Sequence, residues 1–376
     1  MDFSHSHKEK QAEFKAFVDQ EIKPYAAQID QEEYIPKSII EKMVEKGYWA
    51  TELPSEYGGA GLDLISSGLL HQEVGRGCSN VRNLLGVQGM VSSAILKWGT
   101  EEQKRHWLPK MATGQVGAAF ALTEPGVGSD IKNLQTEAIE EGSDYILNGQ
   151  KKWITFGGSA DLYIVFAKCK GRVGAFLVER DTPGFSTMPI KGLLGFRGSM
   201  LAELTFDNCR VSSDNLLSRI GFGLSHVANY GLSHGRYSTA WGCVGLAQAC
   251  LESSVQYATQ RKQGDKFLKD HQLIQELIAE MEVNITCARL LCLHASYLRE
   301  NKDERFVMET AKAKYVASRT AFNAARDAVQ IHGANGVGSD YPVQRYLRDA
   351  KIMEIVEGSS QIQQIIIASH AFRKKY

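Results

Sequence analysis

The chain lacks the features that mark disulfide-bonded, zinc-binding and membrane-spanning proteins. Its seven cysteines are odd in number and contain no Cys-x-x-Cys pair, which argues against a disulfide framework and against structural zinc. No apolar run approaches the ~20 residues that a transmembrane helix needs. The N-terminus, 1–8, has no apolar core of a secretory signal. We therefore expect a cytoplasmic protein with no bound metal and no membrane association.

The chain also has no excess of positive or negative charge. It carries 43 basic and 43 acidic residues, for a formal net charge of zero, so no global field recruits nucleic acid or an anionic membrane. Hydrophobic residues make up 43% and charged residues 23% of the 376 positions, which is ordinary for a globular protein of two or three domains.

The sequence pattern changes twice along the chain, which predicts three parts. Apolar residues recur at helical spacing in 1–116, short β-branched and aromatic runs between glycines fill 117–221, and long helical segments fill 222–376. The fold class is therefore α+β, because a doubly wound nucleotide fold needs strands and helices in alternation. Within the β part, Asn148-Gly149 between apolar runs predicts a β-hairpin with a type I′ turn.

Four segments combine glycines with polar or aromatic side chains, and each has a structural alternative. Residues 121–130 offer hydroxyls and amides to a phosphate or a ring edge, or form a loop entering the β part. Residues 153–155 offer a flat aromatic ring and a hydroxyl to a planar cofactor. The alternative is that Trp153 is an ordinary strand residue. Residues 330–336 let a ligand approach the backbone, or cap a helix. Glu357, after an apolar pair and before a glycine, is a partly desolvated base or a solvated surface residue.

Together these segments resemble the acyl-CoA dehydrogenase family of flavoproteins over essentially the whole chain. The matching segments occur in the family's order: Thr-Glu-Pro-x-x-Gly-Ser-Asp at 123–130, Lys-x-Trp-Ile-Thr at 151–155, Arg261 with His271-Gln272, 330–336, and 348–363. The resemblance implies an N-terminal helical domain, a middle β-barrel-like domain and a C-terminal four-helix bundle. It also implies a homo-oligomer, a tetramer or a dimer.

The resemblance implies FAD, held between the β domain and the bundle and completed by a neighbouring subunit. The residues expected to bind FAD are Leu122, Thr123, Gly128, Ser129, Trp153, Ile154, Thr155, Arg261, His271, Gln272, Gln330, Gly333, Ala334, Ser359, Ser360 and Gln361. Those from Arg261 to Ala334 are expected to reach the FAD of the neighbouring subunit. Relatives carry Phe-Gly three residues after Arg261; this chain does not, and the expected consequence is either weaker FAD binding or substitution by Phe267.

Glu357 matches the family's most common position for the catalytic base. The implied reaction removes the α proton of an acyl thioester while a hydride passes from the β carbon to the flavin, with an electron-transfer flavoprotein or another acceptor taking up the electrons. Some relatives carry the base just before the arginine that matches Arg236, and that position is Gly235 here. Expected substrate contacts are Ser129, Arg82, Arg236 and Gly358. A non-catalytic flavin-binding scaffold and a flavin oxidase or monooxygenase stay open as alternatives.

Two features point to a short, polar substrate. The segment around Arg82 is similar to one in glutaryl-CoA dehydrogenase, where an arginine pairs with the substrate's distal carboxylate; the alternative is a surface salt-bridge arginine. Residues 223–243 resemble relatives in polyketide gene clusters, which act on hydroxyacyl groups of an acyl carrier protein to form hydroxymalonyl or methoxymalonyl extender units. Tyr237 and Trp241 would then close the pocket to long chains. The alternative is a catabolic short-chain or dicarboxylic acyl-CoA dehydrogenase.

Overall fold

The structure is a computed structural model that describes residues 3–373. Helices form both ends of the chain, and a β domain lies between them. The helices are α1 His5–Glu21, α2 Ala26–Glu32, α3 Lys37–Glu45, α4 Leu64–Gly77, α5 Ser79–Trp98, α6 Glu101–Ala112, α7 Asn229–Gln260, α8 Gln272–Glu300, α9 Phe306–His332, α10 Val343–Met353 and α11 Ser360–Ala371. The strands are β1 Ala118–Ala121, β2 Glu137–Glu141, β3 Asp144–Ile154, β4 Leu162–Cys169, β5 Arg172–Glu179, β6 Phe185–Pro189, β7 Ala202–Ser212, β8 Lys262–Gln263 and β9 Lys266–Phe267. The predicted α+β class is confirmed.

Polar side chains cap the starts of α4 and α6. Asp63 caps α4 by accepting a hydrogen bond from the Ser66 amide. Thr100 and Gln103 form a reciprocal capping box at the start of α6, which satisfies two backbone donors that the helix itself leaves free. These caps set the entry points of the helices that carry the N-terminal part.

The N-terminal and C-terminal helices share one apolar core. Buried side chains of α1, α4 and α5 pack with those of α7, α8 and α9 in a single cluster that includes Phe14, Leu70 and Trp241. Residues far apart in sequence are thus held rigidly together, because interiors pack at the density of organic crystals. Within residues 3–373, no helix is both long enough and apolar enough to cross a membrane.

The β domain is a seven-stranded sheet whose strands β4 and β5 are buried on both faces. Its strand order is β1-β4-β2-β3-β7-β6, with β5 paired to β4. Along β4, Leu162, Ile164 and Phe166 join one core cluster, whereas the alternate residues Tyr163 and Val165 join the other. This alternation follows from the two-residue period of a strand. β4, β5 and β7 lie within 117–221, where the short β-branched and aromatic runs predicted strands.

The predicted hairpin at Asn148-Gly149 is wrong. Both residues lie inside the single strand β3, and the pairing with β7 shifts register between Leu147 and Gly149. A β-carbon on Gly149, whose φ is +143°, would lie 2.8 Å from the Thr136 Cα. Glycine is thus needed for a bulge and a close backbone approach. The actual reversal lies between β2 and β3, around Gly142.

Candidate active site

Glu357 lies in a left-handed turn between α10 and α11. Its φ is +58° and that of Gly358 is +86°, and Ser359 begins α11 by accepting a hydrogen bond from the Ile362 amide. A left-handed backbone is costly for a glutamate and persists only where neighbours hold it. The acid is therefore placed two residues before the helix cap, and not within the helix.

Three side-chain donors hold this turn through its carbonyl groups. Arg236 Nε donates to the Glu357 carbonyl at 3.2 Å, and the buried Lys314 Nζ donates to the Gly358 carbonyl at 3.0 Å. Gln363 Nε2 donates to both carbonyls, at 3.3 and 3.0 Å. Sequence reasoning missed Lys314 and Gln363, although a lysine between the alanines of α9 was a visible signal.

The Glu357 carboxyl occupies space that a glycine leaves open. A β-carbon built on Gly235 of α7 would lie 2.3 Å from Glu357 Oε2 and 2.9 Å from Met90 Sδ. The Oε2 atom is buried and has no hydrogen-bond partner among residues 3–373. The carboxyl thus has an oxygen free to accept a proton.

Burial raises the pKa of Glu357 above its ordinary value, and the nearby cations Arg236, Arg82 and Lys314 oppose that rise only in part. Burial also lowers the pKa of Lys314 to about 8. A carboxyl whose charged form is destabilised in this way is a stronger base once it is ionised.

The raised pKa predicts that Glu357→Gln stabilises the protein at neutral and alkaline pH. Between the unfolded pKa of ~4.3 and the raised folded pKa, the native state binds more protons than the unfolded state. The free energy of unfolding of the wild type therefore falls as pH rises through that window. Glutamine does not titrate, so the variant does not lose this stability. We expect the variant's melting temperature to exceed that of the wild type by on the order of 2 °C at pH 8. In thermal melts at pH 4 the difference should vanish; a constant difference at both pH values would contradict the assignment.

The two predicted flavin-facing segments of the β domain lie side by side. The Thr123 carbonyl accepts a hydrogen bond from the Lys152 amide at 2.9 Å, and the Leu122 carbonyl accepts one from Lys151 Nζ at 3.3 Å. Trp153 has φ of +61° beside a second register shift of β3. The bulge turns its ring outward, leaving the residue 50% exposed.

A buried ion pair anchors the loop that follows Leu122. Lys151 Nζ lies 2.7 Å from Glu124 Oε1, and both side chains are at most 3% exposed. Glu124 also accepts hydrogen bonds from the Gln135 amide and from the Thr136 amide and hydroxyl. Although burial opposes ionisation, the bonds from Lys151 and Thr136 hold the pKa of Glu124 below its ordinary value. Gly128 and Ser129, beyond this anchor, are exposed.

Lys151→Met is expected to destabilise the fold by ~3–5 kcal/mol, because it leaves the Glu124 charge buried without its cation. Urea denaturation measures this loss. The double variant with Glu124→Gln should recover much of it, since the buried charge is then gone. If the single variant unfolds like the wild type, the pair does not anchor the loop.

The start of α7 brings the β domain against the Glu357 turn. A β-carbon on Gly231, one helical turn before Gly235, would lie 2.8 Å from Phe120 Cε2 of β1, and β1 runs directly into Leu122. Residues 231–235 spell Gly-x-Ser-x-Gly, a pattern of hydrolases when it forms a strand-to-helix turn. Here the five residues lie within α7, so that turn is not formed.

The second set of predicted FAD residues meets at one end of the bundle. Arg261 ends α7, His271 and Gln272 begin α8, and Gln330 and Gly333 end α9. Asn335 donates to the Tyr257 hydroxyl at 2.9 Å, tying the ends of α9 and α7 together. Arg261, Gln272, Gln330, Gly333 and Ala334 are exposed.

Arg82 is not a surface residue. It is 1% exposed, donates to Thr239 Oγ1 at 3.1 Å, and its Nε has no hydrogen-bond partner among the described residues. Tyr237 and Trp241, in contrast, are wrongly predicted to close the pocket: both are at most 1% exposed in the core and are hydrogen-bonded to Ser296.

Three family models match consecutive parts of the chain. They describe the N-terminal, middle and C-terminal domains of acyl-CoA dehydrogenase, at residues 4–115, 119–209 and 223–372. The chain is 42% identical over 360 residues to an acyl-CoA dehydrogenase of Bacillus subtilis, covering 94% of both chains. It is 38% identical over 364 residues to the human mitochondrial short-chain specific acyl-CoA dehydrogenase, covering 95% of this chain and 88% of the human one.

Solved structures agree with these relatives. Butyryl-CoA dehydrogenase from Megasphaera elsdenii superposes with a TM-score of 0.94 at 33% identity, over 99% of this chain and 100% of that one. FkbI, described as serving biosynthesis of the methoxymalonyl extender unit of the polyketide FK520, superposes with a TM-score of 0.88 at 30% identity, over 97% and 100% of the two chains.

Proposed function

Because the chain belongs to the acyl-CoA dehydrogenase family of FAD-dependent oxidoreductases acting on acyl thioesters, we propose that Glu357 is its catalytic base. Glu357 takes the α proton of the thioester onto its carboxyl. The bound FAD supplies the hydride acceptor for the β carbon. The unpartnered, buried Oε2 beside Gly235 carries this assignment.

The residues of the β domain fit a large planar cofactor. Trp153 and Gly128 are exposed, Thr155 is partly exposed, and a β-carbon on Gly128 would meet no atom within 4 Å; we propose that the three belong to one cofactor-binding surface. We propose that Leu122, Thr123, Ser129 and Ile154 complete this surface. We propose that Ser359, Ser360 and Gln361, at the start of α11, contact the cofactor beside the base.

The bundle end fits the phosphates of a cofactor held by a second subunit. The start of the 29-residue α8 presents free backbone amides and a positive dipole end. His271 Nε2 is buried there without a hydrogen-bond partner among the described residues. Phe267, between the ammonium groups of Lys262 and Lys269 at 4.9 and 5.7 Å, supplies the aromatic ring that the missing Phe-Gly would provide.

We propose a homo-oligomer, a tetramer or dimer, of three-domain chains divided at 1–116, 117–221 and 222–376. Exposed apolar side chains along α8 support this: Leu273, Val283, Leu290 and Tyr297 are 49–76% exposed. An apolar face of that extent on one helix is typical of a helix that packs against another subunit.

We propose a short-chain acyl-CoA as substrate and an electron-transfer flavoprotein as acceptor. Butyryl-CoA dehydrogenase and the human short-chain enzyme support the first choice. Arg82 and Arg236 would orient the thioester, with Ser129 and Gly358 at its reacting end. The likeness to FkbI supports a second candidate, in which the same chemistry acts on a hydroxyacyl group of an acyl carrier protein.

Anaerobic flavin bleaching tests both candidates. The purified protein, loaded with FAD, is mixed with butyryl-CoA or with a hydroxyacyl carrier protein, and loss of flavin absorbance is followed. Faster bleaching by the carrier-bound substrate would favour the second candidate. No bleaching by any thioester would favour a scaffold. Reoxidation by electron-transfer flavoprotein, compared with air, separates a dehydrogenase from an oxidase.

A further inference from the structure

Lys314 is a buried lysine without an acidic partner. It lies on α9, between Ala313 and Ala317, and is 0% exposed. Its Nζ donates one hydrogen bond, to the Gly358 carbonyl, and forms no ion pair among the residues that the structure describes. Lysines are almost never fully buried unless they are paired, and burying an unpaired ammonium is costly. We therefore expect this lysine to serve more than packing.

The charged and titratable groups that act on Lys314 come from two helices and the turn after α10. Burial raises the pKa of the Cys243 thiol to about 12, so this neighbour is uncharged at neutral pH. Glu354 is already paired with another lysine at 2.9 Å, and Arg236 repels the ammonium. The Glu357 carboxyl is therefore the neighbouring anion that has no ion pair within residues 3–373.

Four cationic or titratable side chains act in turn on the Glu357 carboxyl: Arg236 and His234 of α7, Arg82 of α5, and Lys314 of α9. The proposed function assigns both arginines to the thioester. His234 Nδ1 lies 3.3 Å from another carboxylate. Lys314, in contrast, is bonded to the backbone of the turn that carries the base. Its position and its charge are thus both directed at Glu357.

A cation fixed at this place has two effects on a base. A charge-assisted hydrogen bond is about twice as strong as a neutral one, so the bond to Gly358 holds the left-handed turn that presents the carboxyl. The positive charge also offsets part of the rise in the pKa of Glu357 that burial causes. Without that charge, more of the free enzyme carries a protonated carboxyl at neutral pH, and a protonated carboxyl cannot act as the base.

We propose that Lys314 is a positioning residue for proton abstraction: its ammonium fixes the Glu357 turn through the Gly358 carbonyl, and its charge keeps the Glu357 carboxyl ionised. The inference rests on the proposed function, because it concerns the base of the same reaction. Lys314 contacts neither the substrate nor the flavin in this account, and it acts entirely through Glu357.

The pH profile of flavin reduction tests the charge of Lys314. Lys314→Met keeps an unbranched side chain and removes the charge, and the fold should survive because Gln363 still binds the Gly358 carbonyl. We expect the acidic limb of kcat/KM, which reports the base of the free enzyme, to move upward by about one pH unit, since a nearby opposite charge lowers the pKa of a carboxyl by about that much or more. A limb that does not move overturns the proposal.

Lys314→Gln separates the charge from the hydrogen bond. Its amide donates a hydrogen bond but carries no charge, so its acidic limb should be displaced as in Lys314→Met. A wild-type limb in Lys314→Gln would mean that the hydrogen bond suffices, which contradicts the role of the charge. Lys312→Met is the matched control. Lys312 lies on the same helix, is partly exposed and pairs with Glu309 at 2.7 Å, so its loss should leave the limb in place.

A thermal double-mutant cycle measures the same coupling without turnover. At pH 7, Glu357→Gln should raise the melting temperature more in the Lys314→Met background than in the wild type, because the buried carboxyl without its cation has a higher pKa and its ionisation costs the native state more. The extra gain should be on the order of 2 °C. At pH 4 the carboxyl is largely protonated in both backgrounds, and the two gains should be equal. Equal gains at pH 7 as well would refute the coupling.

These measurements separate a failure of the inference from a failure of the proposed function. An unmoved acidic limb and equal thermal gains, with normal flavin bleaching, would overturn the role of Lys314 and leave Glu357 as the base. Absence of bleaching with every thioester would instead overturn the proposed function itself, and the role of Lys314 with it, even if the thermal cycle showed that the two charges interact.

Discussion

Glu357→Gln is expected to slow flavin reduction by an acyl-CoA at least ~100-fold, the usual contribution of a positioned general base. Glutamine keeps the size of the side chain, and the turn stays in place because Arg236, Lys314 and Gln363 bind its carbonyl groups and not its carboxyl. FAD content should therefore be unchanged. Stopped-flow bleaching under anaerobic conditions measures the rate.

The matched control for this variant is Glu354→Gln. Glu354 lies three residues earlier and pairs with Lys351 at 2.9 Å, away from the carboxyl contact with Gly235. It should reduce flavin at close to the wild-type rate. Equal slowing of both variants would mean that the turn, and not the Glu357 carboxyl, had been disturbed.

Gly235→Ala is expected to have the second largest effect. The new methyl group would lie 2.3 Å from Glu357 Oε2 and 2.5 Å from its Cδ. The flexible carboxyl can move aside, so the fold should survive, but its displacement of about 1 Å costs catalysis on the order of 100-fold. Flavin bleaching measures the rate, and thermal melting confirms the fold.

Thr259→Ala, at the exposed end of the same helix, is the control and should retain wild-type activity. Gly235→Ala with an unchanged bleaching rate would show that the carboxyl does not need the space beside Gly235. A large loss of stability would instead place the contact among those that maintain the fold.

The helices and the order of the three parts were predictable because their signals are local. The apolar spacing in α1 and α3 reflects burial of one helix face. The β-branched run of β4 reflects burial of both faces of the strand. The Asn148-Gly149 prediction failed because the need for glycine there comes from Thr136, which directly precedes the neighbouring strand β2. A close approach between strands has no signature in the turn dipeptide itself.

Residues of the candidate site were predictable only where they lie in a recognisable sequence motif. The 122–129 loop, Trp153 and Glu357 stand in recognisable segments. Lys314 and Gln363 lie on α9 and α11, and their proximity to the Glu357 turn depends on how these two helices pack. Tyr237 and Trp241 show the converse: large side chains near a motif arginine were assigned to the pocket, but their helix faces point into the core.

The central claim is that the Glu357 carboxyl removes the α proton, and exchange of that proton with solvent tests it most directly. Wild-type protein loaded with FAD is incubated anaerobically with butyryl-CoA in D₂O, and deuterium at the α carbon is measured by mass spectrometry. Deuterium should accumulate with the wild type and with Glu354→Gln, and should be lost with Glu357→Gln. Exchange at the wild-type rate in Glu357→Gln would contradict the account.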